Sequence, residues 1–170
     1  IPSLLGLGVI VAMWWTYFDV TALAAERHLR ALSGSPQVRL AQHAFTYLHL
    51  PMIIGAIFFS LGVKKTLAHT GEVLSRVPAG ALCGGLILYL LGQVALRARC
   101  GGGVAWPRVL AALALGALIG VSGEIGALVL LSAVSLVFAL LVAYETVVER
   151  AHRHRIRSDE TATWSNRVTE

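Results

Sequence analysis

Five long apolar runs, separated by short polar joints, divide this 170-residue chain. They cover about 2–23, 42–63, 78–96, 106–122 and 125–147. Each approaches the roughly 20 residues that an α-helix needs to cross a ~30 Å hydrocarbon core. The pattern predicts an all-α, polytopic transmembrane helical bundle over residues 1–149. A basic tail, 150–170, follows; its end, "SDETATWSNRVTE", has little to bury and reads as disordered.

Composition supports a lipid setting. The chain is 56% hydrophobic and 14% charged, with a mean hydropathy of +0.73. Soluble domains are about 45–50% apolar and about 25% charged. The pI of 9.8 is therefore read as a topology signal and not as a nucleic-acid signal. Lys and Arg are assigned to the joints and the tail, with Arg108 counted in the third joint. Taking alternate joints as one side, eleven cations face three. The positive-inside rule then places residue 1 outside and the tail in the cytoplasm. The chain opens on Ile1 and enters its first apolar run with no charged region ahead. It reads as the later part of a longer protein, so its expected partners are an upstream half and membrane lipids.

Lipid-embedded helices meet where small residues let backbones approach. Gly80 and Gly84 form one such stripe, Ala112, Gly116 and Gly120 a second, and Gly55 and Gly62 a third. These predict helix packing within the chain or, alternatively, between copies in a homo-oligomer. Trp106 before Pro107 has the form of an interfacial anchor followed by a first-turn proline. Trp14, Trp15, Tyr17 and Phe18 form an aromatic cluster whose members cannot share one helical face. One tryptophan is expected to point inward and the others to meet lipid.

The candidate chemistry is the polar residues inside apolar runs, because ionisable groups in a membrane mark functional sites by default. Asp19 near the end of the first run and His49 early in the second fall at similar depth in antiparallel helices. Gln93 and Glu145 reach the same layer from the third and fifth runs, making a shelf near the cytoplasmic side. Pro51 lacks an N–H and should kink the second helix, freeing the carbonyl of Tyr47. An aspartate and a histidine suit a proton relay, since histidine titrates near neutral pH. Two plainer readings stay open: helix-to-helix glue, and side chains that reach headgroup water. No metalloprotease, P-loop or serine-nucleophile motif occurs. We therefore assign no catalytic residue, metal or cofactor, and enzymatic activity is not favoured.

"WWTYFD" (14–19), a basic joint and "AFTYLHLPMIIGAIFFSLGVKKTLAH" (44–69) together resemble the bacterial low temperature requirement protein A family. "LILYLLG" (86–92) and the final run ending "AYE" (143–145) resemble it as well. The resemblance covers nearly the whole chain but only the later part of the family pattern. An upstream half with an acidic, Phe-rich signature does not occur here. The resemblance implies a multi-pass protein of the bacterial plasma membrane, associated with growth at low temperature and without an established molecular activity. Carried over by position, Trp14, Trp15, Tyr17, Phe18 and Asp19 belong to one signature, and Tyr47, His49 and Pro51 to another. The expected function is transport or proton translocation using Asp19 and His49. The alternative is a non-transporting protein that supports cold growth through lipid or protein contacts.

Overall fold

A computed structural model describes residues 2–18, 34, 35, 38, 42, 46–100 and 103–168, the last twenty as backbone. Among these residues five helices form: α1 (Pro2–Thr16), α2 (His49–Ala68), α3 (Arg76–Arg99), α4 (Trp106–Val121) and α5 (Ala127–Val168). No strand occurs among them, only an isolated bridge between Val73 and Gly126. α2, α3 and Ala127–Val148 of α5 are long and apolar enough to cross a membrane. α1 and α4 are apolar but shorter, at 15 and 16 residues. That is about 23 Å at 1.5 Å per residue.

α3 is the centre of the bundle. Within its apolar stretch 56% of residues are buried in the chain, against 28% for α2 and 33% for α5. Leu82, Leu86 and Leu90 on α3 meet a core that includes Leu115 of α4 and Leu130, Leu131 and Phe138 of α5. α2 packs along one side of α3 and α4 along the other, while α1 lies mainly against α5. The outer surface stays apolar: Leu4, Leu7, Ile53, Ile57, Leu110, Leu113, Leu136 and Leu140 all face outward. Exposed apolar faces of that extent mark a surface that is not meant for water.

The seam between α2 and α3 is a backbone contact. A Cβ on Gly55 would collide with the carbonyl oxygen of Gly85. A Cβ on Gly85 would lie 2.5 Å from the oxygen of Gly55, and one on Gly62 would lie 2.5 Å from Leu82 Cα. The stripe expected from Gly55 and Gly62 is therefore used. Gly80, Gly84, Gly116 and Gly120 are not: a Cβ at each meets open space. The reason is helical phase. Gly85 and Gly92 lie one face away from Gly80 and Gly84, and that face is the one against α2.

Pro51 stands in the first turn of the regular α-helical stretch of α2, just after a π-helical turn at Thr46 and Tyr47. Lys64 and Lys65 fall in the last turns of α2. That position suits cations, which complement the negative helix end and can extend toward water. Trp14 and Trp15 both face outward, because Val9, Met13 and Thr16 occupy the buried face of α1. Finally, α5 continues to Val168, through the tail expected to be disordered. No Gly or Pro lies between Ala127 and Glu170, so nothing in the sequence breaks that helix.

The two ends of the bundle differ. At one end the backbone N–H of Ala127 donates to the carbonyl of Glu72 at 2.8 Å, beside the Val73–Gly126 bridge. This ties the α2–α3 turn to the tight α4–α5 hairpin. The opposite end holds the polar side chains.

Candidate functional site

Side chains from other helices reach the backbone carbonyls of Met13 and Thr16, at the end of the α-helical stretch of α1. The Tyr89 hydroxyl of α3 donates to the Met13 carbonyl at 2.6 Å, and the Thr16 hydroxyl donates to the same oxygen at 2.9 Å. Arg108 of α4 donates from Nη2 to the Thr16 carbonyl at 3.0 Å.

Arg108 is the centre of the cluster. It is fully buried, and its guanidinium forks onto Glu145 of α5. Nε donates to Oε1 at 2.7 Å and Nη2 to Oε2 at 3.1 Å. Two parallel charge-assisted bonds are the geometry in which a planar guanidinium satisfies a carboxylate, and in a low dielectric a looser pairing would leave both ions costly. One side chain thereby joins α1, α4 and α5.

Gln93, one turn after Tyr89 on α3, is also fully buried. Its Nε2 reaches Thr16 Oγ1 at 3.5 Å, and its Oε1 meets no donor among the described residues. On the other side of the cluster, the Tyr17 hydroxyl and His49 Nε2 lie 2.8 Å apart. Their rings meet edge to face, with centroids 5.3 Å apart. The electrostatic neighbours of the Tyr89 hydroxyl include Tyr17, Thr16, Gln93 and Arg108. The polar chain thus comprises a Tyr17–His49 pair and, near it, a connected set running from Tyr89 and Gln93 through Thr16 to Arg108 and Glu145.

The structure therefore gathers His49, Gln93 and Glu145 at one end of the bundle. Asp19 lies outside the described residues, and so does its expected pairing with His49. Tyr47 is 64% exposed. Tyr17, expected as one member of an aromatic cluster, turns inward to His49, while Trp14 and Phe18 stack on each other outside at 5.0 Å. Three participants were not foreseen: Thr16, Tyr89 and Arg108. Arg108 was counted as a joint cation but stands inside α4. The signal for it was Glu145, since a carboxylate within an apolar run requires a cation at the same depth.

A family model for the bacterial low temperature requirement A protein matches residues 1–143. The chain belongs to that family. An uncharacterized protein of Rhizobium meliloti (strain 1021) is 40% identical over 85 residues, covering 49% of this chain and 20% of that protein. No solved structure matches the chain. Family membership and the outward apolar helices together make this a membrane protein. In this low temperature requirement A protein, the polar chain is the one place where titratable groups from several helices converge among the described residues. Its histidine, tyrosines and carboxylate can exchange protons, and its hydroxyls and amide can relay hydrogen bonds between them.

Proposed function

We propose that the protein moves protons, or a solute coupled to protons, across the bacterial plasma membrane through this polar end. The observation that carries the reading is the fork of the fully buried Arg108 onto the partly buried Glu145, extended by Thr16, Gln93 and Tyr89 toward Tyr17 and His49. Asp19, three residues past Thr16 in sequence, would add a second carboxylate. In this proposal five helices cross the membrane, with residue 1 outside and the polar end toward the cytoplasm. Without Arg108, ten cations still face three, so the positive-inside argument keeps its direction. The alternative is a static brace that keeps the protein folded in the cold. What favours it is that both oxygens of Glu145 and two nitrogens of Arg108 are already engaged across three helices.

Reconstituted full-length protein with a pH dye inside the vesicles separates the two. His49→Gln and Asp19→Asn remove titration with little change of shape. Translocation predicts at least tenfold slower proton flux with an unchanged melting temperature. Unchanged flux with lowered melting would leave the brace.

A further inference from the structure

We propose that the Gln93 carboxamide oxygen holds a buried water molecule that links the two halves of the polar chain, so the species handled there is a proton carried through water. This rests on the translocation reading and names its substrate. Gln93 is fully buried and its Oε1 meets no donor among the described residues, although buried polar atoms are nearly always satisfied. With the Thr16 hydroxyl hydrogen on the Met13 carbonyl, Thr16 Oγ1 accepts from the Gln93 amide nitrogen, and that orientation leaves Oε1 without a donor. Tyr89 commits its own hydrogen to that same carbonyl. Both hydroxyls keep lone pairs but have no hydrogen left for Gln93.

The occupant must therefore bring hydrogens, and it must be small. A groove between α4 and α5 lies elsewhere and is lined by apolar residues such as Leu110, Ala114 and Leu140. Water fits these demands: two hydrogens to give and up to about four partners to take, with Gln93, Tyr89 and Thr16 at hand. It stands between Tyr17–His49 and Arg108–Glu145. A proton hop through it forms one bond to hydrogen as another breaks and needs no co-reactant. Gln93 is a positioning residue for that water.

The test uses full-length protein in phosphatidylethanolamine–phosphatidylglycerol vesicles, with radiolytic hydroxyl labelling read by mass spectrometry. A bound water labels its neighbours even when they are buried. Met13 and Tyr89 should be labelled in the wild type, and Gln93→Leu and Gln93→Met should each cut that labelling at least fivefold. Labelling of the outward Trp106 should stay constant, which guards against unfolding, and a second variant is available if one fails this control. Unlabelled Tyr89 in the wild type, or equal labelling in wild type and variants, overturns the water site. Proton flux is the second readout. Gln93→Leu should slow it at least tenfold and Gln93→Glu less than threefold. Lost labelling with unchanged flux overturns the water's place in the path. Zero flux in every protein, wild type included, overturns the translocation reading and leaves the labelling result standing.

Discussion

The α2–α3 seam and the polar end of α1, α4 and α5 are held together by opposite means. In the seam, Gly55, Gly62 and Gly85 remove side chains so that two backbones touch. At the polar end, long side chains cross the gap, with Arg108 reaching Glu145 on one helix and a carbonyl on another. The seam has little freedom to adjust, because its closest contacts are backbone on backbone. The polar end stores charge in rotatable side chains, and a single proton can change its bonding. Long polar side chains are thus gathered at one end of α3, while the seam beside it is a backbone contact. The comparison can be broken from either side.

Arg108→Met gives the largest effect. It leaves the Glu145 carboxylate nearly buried, with its fork gone and the Thr16 carbonyl short of a donor. Removing one partner of a buried ion pair costs roughly 3–5 kcal/mol. For a domain of this size about 1 kcal/mol lowers the melting temperature by about 2–4 °C, so a fall of roughly 10 °C is expected in detergent. The double variant Arg108→Met with Glu145→Leu should recover most of it, since replacing both ions by apolar groups is often neutral or better. If the double variant melts as low as the single one, the pair does not act as a unit. The polar end would then owe its stability to other contacts.

How much of this was legible in residues follows from what each kind of pattern encodes. Five apolar runs and a family resemblance convey an all-helical membrane protein, because lipid imposes length and composition directly. The shared depth of His49, Gln93 and Glu145 also follows from counting residues along antiparallel helices. Phase is harder. Gly80 and Gly84 have the same spacing as a working stripe, and only the rotation of α3 against α2 shows that Gly85 and Gly92 are the ones in contact. Arg108 was misassigned because a cation two residues into an apolar helix looks like the end of a joint. Its burial depends on Glu145, 37 residues away.

Gly85→Ala tests the seam and should come second. The added methyl would stand 2.5 Å from the Gly55 oxygen and 2.6 Å from the Phe59 nitrogen, both backbone atoms that cannot rotate away. Overpacking of this kind costs about 1–3 kcal/mol, so the melting temperature should fall by roughly 2–10 °C. The polar end should be spared. A cysteine cross-link or spectroscopic probe placed near Tyr17 and His49 should report the same local distance in variant and wild type. A change there would mean that seam and polar end are one mechanical unit, and the contrast between them would lose its basis.

Gly80→Ala is the smallest change and the sharpest control, because it lies on the same helix five residues before Gly85. A methyl at Gly80 meets nothing within 4 Å among the described residues. Alanine is up to about 1 kcal/mol better than glycine inside a helix, so melting should stay constant or rise slightly. Gly80→Leu extends the test by placing a bulky group in the same open space, and it too should melt normally as a monomer. Should Gly80→Leu lower stability, or remove a dimer that the wild type forms, the Gly80–Gly84 stripe must be covered by something outside this chain. The two kinds of glycine on α3 would then differ in whose backbone they approach, and not in whether they approach one.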